Sequence, residues 1–460
     1  MTEPVIIIIY LAVILGIGLL GRRRARRADD FFVAGRKTSS PVLTGSLLAT
    51  IIGGTATVGM AGMGFTQGLT GAWWLLAGTI GLLGLGIFFA KKVRSQGLYT
   101  LPELIGKQYD KRMALASSVL IVVAWVGVTA AQIIAAGKIL GILGMGDPTL
   151  WMIIFTAVFV AYTVLGGQYS VIRTDAIQAV IIFAGIFGGV GLLLSKLGGW
   201  TGLQAALPSD HFAFPTSAQF GGADLASMLV VVGLTYVVGP DMYSRLFCAR
   251  DDKTARNATF VAALLMIPVA LAVTIIGMGA AVLFPDIASE QALPMVIREV
   301  FSPLLGGLVL AALLCAVMSS ADTTLLSAGT ILTVDIIGHF RKSAAHDNIL
   351  PRSRWAIVLL GIASLALALL LNGVITSLIF AYTIYTCGVI LPVLAGFFKD
   401  RLRVTPAGAL AALIGGGGLG LVSKLVSVKY LALWALAASA VLLFTVSFID
   451  TRLKKRRAIR

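Results

Sequence analysis

Charged residues are scarce in this chain of 460 residues, since Asp, Glu, Lys and Arg together make up only 12% of it. Soluble domains carry about 25% charged residues, so a soluble globular fold is excluded. Hydrophobic residues make up 58% of the chain. Disordered chains are poor in such residues, so extensive disorder is excluded as well.

Cysteine and histidine are also rare, with three of each. The cysteines follow no metal-ligand spacing, and we interpret them as small packing residues. They are Cys248, Cys315 and Cys387. We expect all three histidines to lie in loops: His211, His339 and His346.

Catalytic and nucleotide-binding motifs are missing too. The chain has no HExxH, no GxSxG in a strand-turn-helix context and no GxxxxGK[ST] loop. We therefore expect neither an enzyme nor an ATP-driven pump. Any energy for transport has to come from an ion gradient, or the protein is passive.

Long apolar runs, by contrast, are abundant. A membrane-spanning helix needs about 20 mainly apolar residues, and thirteen segments fit that description. They cover residues 5–20, 41–66, 71–90, 113–141, 149–166, 174–195, 225–246, 257–284, 303–336, 355–372, 374–397, 404–423 and 430–449. Only short loops remain between them, so the sequence predicts an all-α polytopic membrane protein without a separate soluble domain.

The basic residues indicate how these segments are oriented. The chain has 36 Lys and Arg against 20 Asp and Glu. With the N-terminus outside, all but five of the 36 fall on cytoplasmic loops, as the positive-inside rule requires. The five are Lys138, Lys196, Arg298, Lys424 and Lys429. The charge is therefore a topology signal: we predict a cell (inner) membrane protein with a cytoplasmic C-terminus, and no nucleic-acid partner.

The first apolar segment could be mistaken for a signal peptide. Signal peptides carry positive charge before the apolar run. Here Glu3 precedes the run and Arg22–Arg24 follow it. We therefore interpret residues 5–20 as a retained span that enters from outside.

Two spans contain helix-breaking residues at corresponding places. Gly53-Gly54 interrupts the span 41–66, and Gly239-Pro240 interrupts the span 225–246. Each break begins a set of five spans, 41–195 and 225–397, and residues 404–449 supply two further helices. Interrupted spans in matching places indicate an inverted-repeat transporter with its site at the breaks. Ordinary packing of Gly-containing helices is the alternative.

Two carboxylates lie within apolar spans, where ionisable groups usually serve function. Asp322 lies midway along its span, beside Ser319, Ser320 and Thr323. Oxygen ligands without His or Cys suit a hard cation, so we predict ion binding there. The alternative is hydrogen bonding between helices.

Asp175 starts its predicted span, and both an N-cap role and a functional role remain open for it. We assign no site to Asp241 and Asp335, because Arg245 and Arg341 stand close to them at basic cytoplasmic ends.

Several short motifs then occur in a fixed order along the chain. They are Asp30–Arg36 (DFFVAGR), Gly59–Gly62, Gly166-Gly167 with Thr174, Asp175 and Gln178, Gly239-Pro240 with Arg245, and Ser319-Ser320 with Thr330–Asp335. In this order, residues 28–400 resemble the sodium:solute symporter family, which includes the proline, pantothenate, sialic acid and sodium/glucose symporters.

The resemblance implies a leucine-transporter-type fold of five plus five inverted helices, with one extra N-terminal and two extra C-terminal helices. It implies a main sodium site made of three carbonyls and two hydroxyls. The matching residues are Ala49, Ile52, Ala316, Ser319 and Ser320.

Some members of the family bind a second sodium ion. The matching positions here are Asp175, Ser319, Asp322 and Thr323. Members with that site carry Ser where this chain has Asp322. An added carboxylate strengthens sodium binding or carries a proton instead, so the coupling stoichiometry stays open.

The resemblance also implies a solute pocket where the two breaks meet. The candidate residues are Ile51, Gly53, Thr55, Ala56, Trp73, Gln132, Tyr236 and Gly239. Members that carry polyhydroxylated sugars have polar residues at the positions of Ile51, Gly53 and Ala56. These positions are apolar or bare here, which disfavours a sugar or sialic acid and favours proline, another amino acid or a monocarboxylate.

The sequence thus predicts a sodium-coupled symporter of a small organic solute in a prokaryotic membrane, with no obligatory protein partner. Two alternatives remain. One is a proton-coupled symporter of the same fold, with Asp322 or Asp175 as the proton carrier. The other is a substrate-sensing membrane module, since related domains are fused to signalling kinases.

Overall fold

The computed structural model describes residues 2–22, 25–141, 147–340, 349–371, 373–425 and 430–459. Five residues used above lie outside these ranges: Arg23, Arg24, Arg341, His346 and Lys429. The described residues are nearly all helical and form no β-strand; a single parallel bridge joins Thr38 to Ala249.

The chain forms 23 α-helices of very different lengths within the described residues. The first half contains α1 (Thr2–Gly21), α2 (Ala28–Val33), α3 (Ser40–Ile51), α4 (Met60–Gln67), α5 (Trp73–Gly84), α6 (Ala90–Ser95), α7 (Leu101–Gln108), α8 (Lys111–Gly141), α9 (Pro148–Lys196) and α10 (Gly199–Ala206). The second half contains α11 (Gly222–Met228), α12 (Leu234–Val238), α13 (Pro240–Cys248), α14 (Asp252–Leu283), α15 (Ala292–Val300), α16 (Pro303–Ile331), α17 (Gly338–Phe340), α18 (Ile349–Leu370), α19 (Val374–Tyr385), α20 (Leu391–Gly396), α21 (Lys399–Leu402), α22 (Pro406–Leu425) and α23 (Leu431–Ile459).

Nine helical stretches of the described chain are long and apolar enough to cross a membrane, and three shorter apolar helices accompany them. Each of the thirteen predicted segments falls on these helices. The number thirteen itself stays a prediction, because some of the stretches contain two predicted segments. The expectation that His339 lies in a loop is wrong, since it belongs to the helical turn α17.

The helix α9 contains two predicted spans without a loop between them. Its backbone leaves helical geometry only at Gly167, with φ 54° and ψ −160°. Tyr162 and Thr174 share a hydrogen bond of 2.6 Å although twelve residues separate them. Twelve residues of straight helix would extend about 18 Å, so the chain must turn back on itself at Gly167.

Replacing Gly167 by alanine is expected to destabilise the protein. A positive φ of this kind costs a non-Gly residue on the order of 1–3 kcal/mol, and the new Cβ would lie 2.6 Å from the ring of Phe31. We expect a clear fall in the midpoint of thermal unfolding, measured by fluorescence-detected size exclusion. Gly191→Ala is the matched control, since its Cβ meets nothing within 4 Å on the same helix; equal melting curves for both variants would contradict the assignment.

Both predicted helix breaks are present. The helix α3 ends at Ile51, and Gly53 and Gly54 separate it from a π-helical turn over Thr55–Gly59 that leads into α4. The second break lies at Gly239, whose ψ of 130° is non-helical, and Pro240 then begins α13. A proline suits this first position, because the missing N–H would have no helical partner there.

One end of the helix bundle is closed by backbone and arginine contacts, and we call it the basic end. The N–H of Thr38, before α3, donates to the carbonyl of Cys248 at the end of α13, and the carbonyl of Thr38 accepts from the N–H of Arg250. Arg36 donates to the carbonyls of Leu98 (3.1 Å) and Gly97 (3.0 Å). Arg94 donates to the carbonyl of Ala249 at 2.6 Å.

Tyr99 adds a further link at the basic end. Burial and the hydrogen bond to Asp29 raise the pKa of Tyr99 to about 12. Its hydroxyl therefore stays protonated at neutral pH and donates to Asp29 Oδ1 at 2.5 Å.

Candidate functional site

The middle of α16 carries a band of buried hydroxyl groups. Ser319, Ser320, Thr323 and Thr324 are all less than 4% exposed. Residues four positions apart share a helix face, so Ser319 and Thr323 lie on one face of α16, and Ser320 and Thr324 lie on the next. Each one makes a specific contact, and together they join α16 to the first break, to α8 and to α9.

The first break lies directly against α16. The hydroxyl of Ser320 donates to the carbonyl of Thr50 at 2.6 Å. Thr50 and Thr323 share a further hydrogen bond of 3.2 Å. Because α3 ends at Ile51, the carbonyls of its last turn lack the helical partners they would have in a longer helix.

Gly53 lies close against α16 at the first break. A Cβ placed on Gly53 would lie 2.2 Å from Ser320 Oγ and 2.9 Å from Gln132 Oε1. Gln132 in turn accepts a hydrogen bond from the backbone N–H of Gly54 at 2.8 Å. The structure therefore joins three predicted site residues, Gly53, Gln132 and Ser320, at one point.

A fully buried ion pair lies next to this junction. Arg245 Nη2 is 3.0 Å from Asp175 Oδ2, and the two side chains are 0% and 1% exposed. Asp175 also accepts from Ser319 (2.5 Å) and Ser46 (2.6 Å), and Arg245 Nη2 donates to the hydroxyl of Thr323 as well.

This ion pair changes two of the interpretations above. Asp175 lies inside the second half of α9, eight residues beyond the kink, so the N-cap alternative is wrong. Arg245 was expected at a cytoplasmic end near Asp241, yet it is buried and pairs with Asp175. Asp241 instead lies in the first turn of α13 and accepts from the N–H of Met242 at 3.0 Å.

Asp322 is hydrogen-bonded to the first half of α9, whereas the ion pair uses the second half. It is 2% exposed and accepts a hydrogen bond of 2.8 Å from Thr163 of α9. Of the four positions expected for a second sodium ion, Asp175, Ser319 and Thr323 thus come together, and Asp322 contacts Thr163 instead. Asp335, for which Arg341 was the expected neighbour, accepts from Thr100 at 3.1 Å.

Six of the eight predicted solute-pocket residues lie at the two breaks. Ile51, Gly53, Thr55 and Ala56 line the first break and are buried. Tyr236 and Gly239 belong to the second break, where the ring of Tyr236 packs against Gly78. This second break is attached to the end of α19 and the turn that follows it, because Tyr385 donates to the carbonyl of Val238 (2.8 Å) and Thr235 bonds to Thr386 (2.9 Å).

Trp73 lies apart from both breaks. Its indole N–H donates to the carbonyl of Pro215 at 2.8 Å, and its ring stacks on Phe214 at 5.2 Å. It therefore contacts the loop between α10 and α11.

A cavity of about 740 Å³ lies between α4, α11 and α19. Its lining includes Gln67, Asp224, Val231, Val232, Ile379 and Thr383. Val231 and Val232 lie one turn before Thr235, so the cavity reaches towards the second break.

Sequence reasoning missed several residues of this site. Ser46, Thr50 and Thr163 are ordinary hydroxyl residues in apolar spans, and nothing in their surroundings marks them. Arg245 was interpreted as a motif residue and as a neighbour of Asp241 at a cytoplasmic end, although the sequence held a signal for a buried role. Pro240 begins a helix inside the membrane, so a basic residue five positions later lies less than two turns from the break.

The chain is similar to known proteins along most of its length. A model of the "Sodium:solute symporter family" matches residues 31–416. The sodium/glucose cotransporter of Vibrio parahaemolyticus is 26% identical over 407 residues, which are 80% of this chain and 74% of that protein. The high-affinity proline transporter PutP of Bacillus subtilis is 26% identical over 463 residues, covering 94% and 95% of the two chains. The osmoregulated proline transporter OpuE of the same species is 25% identical, covering 89% and 86%.

Solved structures agree on the fold. A Na⁺-coupled sialic acid symporter in a substrate-bound outward-open state superposes with a TM-score of 0.81 at 17% identity, over 98% of both chains. MhsT in complex with L-phenylalanine superposes with a TM-score of 0.60 at 16% identity, over 89% of this chain and 99% of the other. The leucine-transporter-type architecture that the sequence predicts is therefore confirmed.

Proposed function

The chain belongs to the sodium:solute symporter family and is a multi-pass membrane symporter, not an enzyme; we propose that its sodium ion binds where the first break meets α16 and that its solute is small and partly apolar. Sodium would hold the broken helix against α16, the solute would bind between the breaks, and alternating access would carry both inward.

The contacts of Ser320 and Ser319 support the sodium site. Each hydroxyl already donates its hydrogen, to Thr50 and to Asp175 respectively. A serine hydroxyl that donates retains its lone pairs as acceptors. Two such oxygens, the carbonyl of Ala316 one turn earlier and the carbonyls of Ala49 and Ile52 would supply five oxygen ligands, the ligand type that hard cations prefer.

The character of the first break supports a small solute. Ile51 and Ala56 are apolar, and Gly53 leaves no room for a side chain beside Ser320. Gln132 contributes an amide whose oxygen is already engaged by Gly54. Such a lining suits an amino acid such as proline, or a monocarboxylate, and offers little to the many hydroxyls of a sugar.

The available energy is sufficient for accumulation. One charge crossing 100 mV gives about 2.3 kcal/mol, and a tenfold sodium gradient adds about 1.4 kcal/mol. The sum of about 3.7 kcal/mol sustains roughly 500-fold solute accumulation for each sodium ion.

The solute is best identified by a thermal-shift screen of amino acids and carboxylates with and without sodium, because a ligand of the folded form raises apparent stability. The hit is then tested for uptake into proteoliposomes. We expect a sodium gradient to drive uptake without a pH gradient. Uptake driven by a pH gradient in sodium-free buffer would reject sodium coupling in favour of proton coupling.

We further propose that the basic end faces the cytoplasm, as the distribution of Lys and Arg predicts. The contacts of Arg36 and Arg94 would then close the inner side. The 740 Å³ cavity, which lies on the far side of the second break, would open outward.

Replacing Arg94 by alanine is expected to loosen this closure. The variant loses the 2.6 Å hydrogen bond to the carbonyl of Ala249, next to the buried thiol of Cys248. In a background with Cys315→Ala and Cys387→Ala, maleimide should label Cys248 several times faster than before the change. Lys91→Ala is the control, since it removes the same charge from an exposed position of the same helix. Equal labelling rates in the two variants would show that Arg94 does not hold the basic end closed.

A further inference from the structure

The carboxylate of Asp175 has both oxygens occupied by groups of the protein. Oδ1 accepts from Ser319 at 2.5 Å. Oδ2 accepts from Ser46 at 2.6 Å and lies 3.0 Å from Arg245 Nη2. The side chains of this ion pair are essentially unexposed.

Thr323 belongs to the same arrangement. Its hydroxyl donates to the carbonyl of Ser319 at 2.7 Å and accepts from the same Arg245 nitrogen. Three positions that the family resemblance assigns to a second sodium ion, Asp175, Ser319 and Thr323, are therefore arranged around a guanidinium group.

Arg245 supplies the positive charge that a second sodium ion would bring to Asp175. An arginine side chain is always charged in proteins, so it provides one positive charge at Asp175 under all conditions. A sodium ion at the same three ligands would have to displace it or lie beside a like charge. Asp322, the fourth expected ligand, accepts a hydrogen bond from Thr163 in the first half of α9.

We propose that Arg245 is a built-in cation that takes the place of the second sodium ion, so that this chain binds a single sodium ion. This inference rests on the proposed sodium site at the first break. Arg245 lies on the helix that follows the second break, whereas Asp175 and Thr323 lie on α9 and α16. The pair therefore joins a broken helix to two others without consuming an ion from the gradient.

The test is a count of bound sodium on the purified full-length protein, by equilibrium binding of radioactive sodium without any solute. We expect wild type to bind one ion per chain with a Hill coefficient near one. Arg245→Ala frees Asp175, Ser319 and Thr323 and should bind two. A wild-type count of two would overturn the inference while leaving the proposed function intact, and a count of zero would reject the proposed sodium site itself.

Two further variants keep the test decisive. Arg245→Lys retains a tethered charge and should still bind one ion.

Arg245 Nε and Nη1 have no hydrogen-bond partner in the described structure, so Asp175→Asn alone would leave a buried, poorly satisfied cation and endanger folding. The double variant Asp175→Leu with Arg245→Met removes both charges together and should also bind one ion. Loss of all binding in a folded double variant would show that Asp175 is a sodium ligand, and would overturn the inference.

Discussion

Replacing Ser319 and Ser320 together by alanine is expected to abolish sodium binding and sodium-driven uptake. The two hydroxyls are two of the five proposed ligands, and their removal also takes one hydrogen-bond donor away from the Thr50 carbonyl and one from Asp175. Hydrogen bonds to charged groups contribute about 1.5–3 kcal/mol each. If each hydroxyl contributes a similar free energy to sodium binding, the loss of both costs about 3 kcal/mol or more. This corresponds to a loss of sodium affinity of roughly 100-fold or more.

The measurement is a sodium titration of the purified variant, followed by uptake in proteoliposomes. Thr330→Ala on the same helix is the control, because its hydroxyl donates only to the carbonyl of Leu326, one turn earlier. That control should keep wild-type sodium affinity. A double serine variant that folds and binds sodium within about twofold of wild type would remove the basis for the site.

Replacing Gly53 by alanine is expected to weaken sodium binding at least tenfold without any change in charge. The added Cβ would lie 2.2 Å from Ser320 Oγ, 2.7 Å from Ser320 Cβ and 2.9 Å from Gln132 Oε1. Carbon atoms do not approach so closely, so the break must move away from α16. The carbonyls at the break would then no longer face the two serines.

The control for this variant is Gly188→Ala, whose Cβ meets nothing within 4 Å on α9. Both proteins should elute as folded material in size exclusion. We expect only Gly53→Ala to need higher sodium concentrations for half-maximal uptake. Equal sodium dependence in the two variants would indicate that the close approach of the break to α16 is not required.

The breaks and the hydroxyl band could be predicted because their signals are local. Gly53-Gly54 and Gly239-Pro240 interrupt apolar runs, and the polar residues near Ser319 interrupt another. A helix cannot continue easily through such pairs in a membrane, so the backbone consequence follows from the sequence.

The partner of each polar group could not be predicted in the same way. Asp175 and Arg245 are 70 residues apart, and their pairing depends on how α9 and α13 pack. The gap between the predicted spans 149–166 and 174–195 indicated that the chain reverses there, but not that the reversal is a kink at Gly167 within one helix. Ser319 and Asp322 lie three residues apart on α16 but bond to different halves of α9, Ser319 to Asp175 and Asp322 to Thr163, and their spacing alone does not predict this.

The most direct test of the account is an experimentally determined map of the protein in sodium compared with one in choline. The account predicts one added density peak in sodium, enclosed by the carbonyls of Ala49 and Ile52 and the hydroxyls of Ser319 and Ser320. A sodium-dependent peak on Asp175 with Arg245 displaced, or unchanged density at the junction of the first break and α16, would contradict it.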